Sequence, residues 1–262
     1  MVPDGVKIKN YLMNKFKNDF KNGKELELFL AHEFRYFFIH QYVKNKMNNL
    51  LRLINKLGIS FKSVLDVGCG SGEVVELFND QNLLSVGVDL QKNVLIKSSD
   101  VFKKFYNKKL NFIVCNVNFL PFEENTFDLI ILLDVIEHVN NLDLLMSSLK
   151  RTIKKEGHII ICFPPYNSIF GAHMSIPYAQ VLPHFIKKHF FNQFKYRDYY
   201  LNKITVSKFE HLVNSHGFDI KFKNMYTYNN FLRRNKVLNL FSKLPFLREI
   251  LFSYCYVLRA VD

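Results

Sequence analysis

The stretch Ser63-Val64-Leu65-Asp66-Val67-Gly68-Cys69-Gly70-Ser71-Gly72 decides how this chain is read. A short run suited to a buried strand opens through three alternating glycines. Val74, Val75, Leu77 and Phe78 then mark the apolar stripe of a helix. A strand that passes through glycines into a helix is a ligand-binding turn. The glycines let the backbone approach a ligand closely, and the helix N-terminus presents N–H groups with no partner inside the helix. The next strand is Leu84-Ser85-Val86-Gly87-Val88-Asp89, and it ends on an acid. A carboxylate there can accept hydrogen bonds from both hydroxyls of a ribose.

Outward from this pair the rhythm continues. The pattern predicts helices over 93–104, 141–154 and 205–217, and strands over 110–115, 127–133, 157–163, 218–225 and 251–260. The strands are almost purely apolar. Alternating helices and apolar strands signal a parallel sheet covered on both faces. The expected fold is α/β and doubly wound, with a mostly parallel seven-stranded sheet whose last strand is antiparallel. Upstream, residues 1 to about 24 are polar and basic and are expected to fray. Between 24 and 57 apolar residues recur at helical spacing (Leu26, Leu28, Leu30, Phe34, Phe37, Phe38, then Met47, Leu50, Leu51, Ile54), and Gly58 closes the second helix. These features divide the chain into a helical extension over 1–58 and an α/β domain over 59–262, with inserts at about 164–202 and 226–250.

Composition sets the outer bounds. The 262 residues are 48% hydrophobic and 23% charged, which suits one large globular domain and excludes disorder along the whole length. Lys and Arg outnumber Asp and Glu by 36 to 23, a net charge of +13. That excess is compatible with nucleic acid, an anionic membrane face or an acidic substrate, but it selects none of them. No secretory core follows Met1, and no apolar run is long enough to span a bilayer. Cys69, Cys115, Cys162 and Cys255 show neither metal spacing nor a disulfide framework, so the sequence predicts a reduced, cytoplasmic protein without a metal centre.

Two nucleoside cofactors suit a glycine turn followed by an acid. A dinucleotide turn requires Gly-x-Gly-x-x-Gly, but here the last position is Glu73, which would repel a pyrophosphate. The order Asp66, Gly68, Gly70, Gly72 places a carboxylate beside the turn instead. That suits a ligand with a positive ammonium group, such as S-adenosylmethionine.

Val64 to Gly72 resembles the first motif of the class I S-adenosylmethionine-dependent methyltransferases, and Val86-Gly87-Val88-Asp89-Leu90 resembles their second. Leu120-Pro121-Phe122, Phe127-Asp128-Leu129-Ile130 and Asp134-Val135-Ile136-Glu137-His138-Val139 are similar to the third and fourth. Leu149-Lys150 through Gly157-His158-Ile159-Ile160-Ile161 is similar to the fifth. The resemblance covers about 60–163. It implies S-adenosylmethionine as cofactor and S-adenosylhomocysteine as product. It also implies that Asp66 and the backbone of Gly68, Cys69 and Gly70 hold the methionine end. Asp89 would take the ribose diol, Leu90 would lie against the adenine, and Asn116 and Val117 would meet the ring. Asn116 stands where many relatives have an acid, and its amide carbonyl can still accept a hydrogen bond. Asp134 would end the fourth strand beside the reactive methyl.

The acceptor is less legible. Methyl transfer to oxygen needs a base, and the candidates are His138, after the fourth strand, and His173, after the fifth. The plain alternative for each is a packed or pocket-lining histidine. The favoured acceptor is a small molecule, a glycan precursor or a lipid-like molecule, methylated on oxygen. Phe163-Pro164-Pro165-Tyr166 raises the alternative of a nucleic-acid methyltransferase. Against it, the Pro-Pro pair follows the fifth strand rather than the fourth, and Phe163 replaces the polar residue that would hold a target amine. A non-catalytic binding protein is a third reading, opposed by the intact first and second motifs. The stretch 231–258 mixes basic and apolar residues. It reads either as a helix and terminal hairpin strand or as an amphipathic segment for peripheral membrane contact. Oligomeric state is left open.

Overall fold

The computed structural model describes residues 5–19, 23, 26, 30, 40–79, 83–166, 202–226 and 253–261. The chain forms two compact units, Met1–Val117 and Asn118–Asp262.

In the first unit, helix α1 (Gly5–Phe16) is ordered where fraying was expected. The reason lies in its spacing. Ile8, Leu12 and Phe16 recur every fourth residue and bury completely or nearly so, sharing a cluster with Leu26, Leu30, Val94, Leu95, Phe102 and Leu110. Its basic character hid that stripe. Lysine stems help to cover the aromatic edge, with the Lys104 ammonium 4.4 Å from the Tyr11 ring centre and Lys97 5.4 Å from that of Phe16. Helix α2 (His40–Lys56) buries Met47, Leu50 and Ile54. It ends as predicted at Gly58, whose φ is +62°. The Ile59 N–H donates to Ile54 O and the Gly58 N–H to Asn55 O, both at 3.1 Å, which closes the helix in a glycine-dependent turn.

Strands β1 (Ser63–Val67), β2 (Leu84–Asp89) and β3 (Asn111–Val114) are parallel, in the order β3-β2-β1. All of β1 is buried, as is the middle of β2. Helix α3 (Glu73–Asn79) turns Val74, Val75 and Phe78 inward. Helix α4 (Lys92–Val101) runs into one wider π-type turn, Phe102–Tyr106, and stops at Asn107 in a left-handed conformation.

In the second unit the strand order is β4-β5-β7-β6, with β4 (Phe127–Leu133), β5 (Ile153–Phe163), β6 (Phe218–Tyr226) and β7 (Ser253–Ala260). β4 and β5 are parallel, and β7 lies antiparallel between β5 and β6. The chain therefore has the expected seven-stranded, mostly parallel sheet with an antiparallel last strand. β5 begins four residues earlier than its apolar run suggests, because Ile153 pairs with Phe127 before a left-handed Glu156 and Gly157. Helix α5 (Leu142–Thr152) is capped by the Asn141 side chain, and helix α6 (Val206–Ser215) by Thr205. Phe209 seats its ring 4.8 Å from both Phe163 and Tyr256 at the centre of the core. The Lys150 ammonium donates to Gly217 O and Val261 O, while Arg151 donates to Leu120 O and Phe122 O. Arg151 thereby pins the Leu120-Pro121-Phe122 segment.

The cysteine reading needs correction. Cys162 and Cys255 face each other across β5 and β7 and are joined as a disulfide, although 93 residues separate them. Only strand pairing brings them together, so spacing along the chain could not reveal it. The cysteines therefore give no argument for a reducing compartment. Cys69 and Cys115 are free thiols. Burial, then the carboxylates of Asp66, Asp89 and Glu73, push the Cys69 thiol well up, and burial followed by Asp89 raises that of Cys115. Alkylation after denaturation without reductant should modify two cysteines, and prior reduction should raise that to four. Peptide mass mapping checks both counts. Among the described residues no helix is long and apolar enough to cross a membrane. The inserts read at about 164–202 and 226–250 fall mostly outside the described residues.

Candidate active site

The first unit carries the glycine turn and the acid that follows it. β1 delivers Asp66, only 3% exposed, to the start of the glycine turn. Gly68, Gly70 and Gly72 all have positive φ, at +71°, +49° and +88°. A side chain at any of them would strain the backbone. Their surroundings differ. A Cβ on Gly72 would lie 2.4 Å from the Phe112 ring, whereas one on Gly70 would meet nothing within 4 Å. Gly72 answers to packing, and Gly70 faces open space.

The turn is tied to β2. The N–H groups of Gly68 and Cys69 both donate to Val88 O, at 2.8 and 3.0 Å. The Gly70 N–H donates to Asp89 Oδ2 at 2.9 Å, and the Gln91 N–H donates to Asp89 Oδ1 at 2.8 Å. Asp89 is thus clasped from both sides by main-chain donors. A carboxylate has about four acceptor positions, so this hold does not exhaust it. Leu90, next in the chain, is 68% exposed. Asn116 is exposed and Val117 half-buried just after β3. Cys69 is turned away from the open side. Its side chain joins the buried cluster, so it can serve a ligand through its backbone only.

One further residue escaped the sequence reading. A Cβ on Gly87 would lie 2.6 Å from Val75 Cγ2 and 2.7 Å from Cys69 Sγ. Gly87 is what lets the turn and α3 sit directly on β2. The alternation of glycine within an apolar strand was the available signal.

The second unit carries the other named residues. Asp134 follows β4 directly, with φ of +61° and its N–H donating to Cys162 O at 2.8 Å. Among residues with a Cβ, Asp is one of the few that tolerate this conformation, and such positions cluster at functional sites. A single helical turn, Ile136–His138, follows, with Glu137 buried and His138 half-buried. The Asn202 N–H donates to Glu137 O at 2.6 Å, and its side-chain amide donates to Val139 O at 3.0 Å. Tyr166 donates its N–H to Ile204 O at 2.8 Å. Phe163 is fully buried against Phe209 and Tyr256, so the residue before the Pro-Pro pair belongs to the core. His173 lies outside the described residues.

Residues 65–161 match the methyltransferase domain family, over the stretch that supplies the glycine turn, Asp89, Asp134 and the His138 turn. The matched stretch is a methyltransferase domain, and the sheet around it has the fold of S-adenosylmethionine-dependent methyltransferases. Solved structures agree on the fold of this methyltransferase domain. A protein from Pyrococcus horikoshii superposes with a TM-score of 0.59 at 21% identity, covering 83% of this chain and 91% of that one. A SAM-dependent methyltransferase from Archaeoglobus fulgidus gives 0.57 at 18%, covering 86% and 99%. In sequence, an uncharacterized protein from Methanocaldococcus jannaschii is 33% identical over 50% of this chain and 47% of its own length. The ubiquinone biosynthesis O-methyltransferase of Rickettsia akari is 32% identical over 39% of this chain and 40% of its own. The matches to such curated relatives thus span about half of their length or less. The residues present suit S-adenosylmethionine as cofactor. Asp66 is a buried carboxylate at the turn, Gly70 opens onto free space, Asp89 is a pre-set acceptor and Leu90 offers an exposed apolar face.

Proposed function

We propose that the protein transfers the methyl group of S-adenosylmethionine to an oxygen of a small-molecule, glycan-precursor or lipid-like acceptor. The observation that carries the cofactor half is the Asp89 carboxylate clasped between the Gly70 and Gln91 N–H groups beside an open glycine turn. Oxygen as the target is supported by the partial likeness to ubiquinone biosynthesis O-methyltransferases and by His138 directly after β4.

When bound, S-adenosylmethionine supplies an electrophilic methyl on a sulfonium. Asp66 and the Gly68–Gly70 backbone hold the methionine end, Asp89 accepts from the ribose hydroxyls, and Leu90, Asn116 and Val117 line the adenine. His138 takes the acceptor hydroxyl's proton on an imidazole nitrogen, which leaves the oxygen free to attack. His173 is the second candidate for that proton. Asp134 shapes the end of β4. Catalysis here rests mainly on alignment of the acceptor oxygen with the methyl group.

Against a nucleic-acid acceptor stands Phe163, which is buried in the core where a polar residue would hold a target amine. The C-terminal stretch suggested for membrane contact falls largely outside the described residues. The test is transfer of a labelled methyl group to phenolic and aliphatic hydroxyl compounds, with and without prenyl tails, beside a DNA duplex and an RNA. Label on a hydroxyl compound, lost in His138→Gln, supports the proposal. Label on nucleic acid alone, falling steeply with added salt, overturns it.

A further inference from the structure

The segment Asn202–Ile204 lies outside every motif read from the sequence, yet it returns to the C-terminal ends of two parallel strands. At β4 it makes two bonds. The Asn202 N–H donates to Glu137 O at 2.6 Å, and the Asn202 side-chain amide donates to Val139 O at 3.0 Å. These two carbonyls flank His138 on either side. At β5, Ile204 O accepts the Tyr166 N–H at 2.8 Å, and the Lys203 ammonium sits 5.9 Å from the Tyr166 ring centre.

The His138 turn needs such a hold. It is one helical turn closed by two bonds of its own, His138 N–H to Val135 O at 2.9 Å and Val139 N–H to Ile136 O at 3.3 Å. A turn that short is poorly determined by itself. It follows Asp134, whose left-handed backbone persists only when its surroundings fix it. A residue that bonds the carbonyls before and after His138 fixes the direction in which the imidazole leaves the backbone.

We propose that Asn202 is a positioning residue for His138, acting through its amide on the turn that carries the ring. This rests on the reading of His138 as the group that takes the acceptor proton. Both of these Asn202 bonds go to main chain. Asp at this position has the same shape but no side-chain donor, so its carboxylate would oppose Val139 O. Ala removes the side-chain bond and leaves the backbone one.

The experiment uses the full chain with carbon-13 labelled histidine, and His138→Gln assigns the His138 ring signal. Asn202→Ala and Asn202→Asp are compared with Thr205→Ala. Thr205 caps α6 by accepting from the Lys208 N–H at 3.3 Å. All three changes should lower Tm by about 2–4 °C, the effect of one lost bond in a chain of this size. Only the two Asn202 variants should shift or broaden the His138 ring signal, with Asp acting more strongly than Ala. An unmoved signal in Asn202→Ala and Asn202→Asp overturns the proposal. An equal change in Thr205→Ala overturns it too, because general loosening would then be the cause. Failure of the base reading has a different signature. In that case the Asn202 variants move the ring, while His138→Gln keeps full methyl transfer.

Discussion

Asp89→Ala should cost the protein nearly all of its measurable affinity for S-adenosylmethionine. Two ribose hydroxyls would lose a charged acceptor, and each such bond is worth roughly 1.5–3 kcal/mol. The lower end of that range already predicts more than a hundredfold weaker binding. The substitution has a second effect. Asp89 Oδ2 accepts from Gly70 and Oδ1 from Gln91, so its removal also frees the glycine turn from β2. Asp89→Asn separates the two effects. It keeps one acceptor oxygen and can retain the Gly70 bond, but it cannot accept at both positions. Calorimetric titration should therefore rank wild type above Asn and Asn above Ala. Thermal melts should place Asn between wild type and Ala, because the amide nitrogen cannot accept the second main-chain bond. Equal affinity in all three would refute the ribose assignment.

Gly87→Ala should lower stability and cofactor affinity together. The added carbon would lie 2.6 Å from Val75 Cγ2, 2.7 Å from Cys69 Sγ and 3.0 Å from Cys69 Cβ. Val75 and Cys69 are both buried, so neither can swing into solvent. Overpacking of this kind costs about 1–3 kcal/mol. Relief requires the turn and α3 to lift from β2. That movement would stretch the Val88 O bonds to Gly68 and Cys69, so cofactor affinity should fall along with stability. Cys69→Ala in the same chain removes the sulfur and should restore part of both. The size of that restoration, read from denaturant midpoints, measures the coupling between the two residues. Additive losses would mean that the strain is relieved elsewhere.

Much of the fold was legible because its central strands are buried on both faces. Ser63–Val67, Leu84–Asp89 and Phe127–Leu133 fall where continuous apolar runs place them. The cofactor half was legible for a related reason, since glycines and acids at strand ends have few other uses. Other features depend on what the sheet brings together, and no local pattern encodes that. The Cys162–Cys255 pair exists only through the β5–β7 register, and the reach of Asn202 to residues 137–139 crosses more than sixty positions. Helix α1 was missed for a third reason. Its lysines dominate the composition, while a stripe of Ile8, Leu12 and Phe16 is enough to bury it.

The place of β7 has a consequence for assembly. It lies between β5 and β6, although it follows both in the chain. Until residues 253–260 emerge from the ribosome, one edge of β5 and the pairing edge of β6 both lack their partner. Bare edges of this kind recruit other chains. The late arrival also makes these the slow, long-range contacts, and a slow step with open edges is where chains aggregate. A nascent chain stalled before Ser253 is therefore a client for chaperones, whereas the three parallel strands of the first unit can pair without waiting for it.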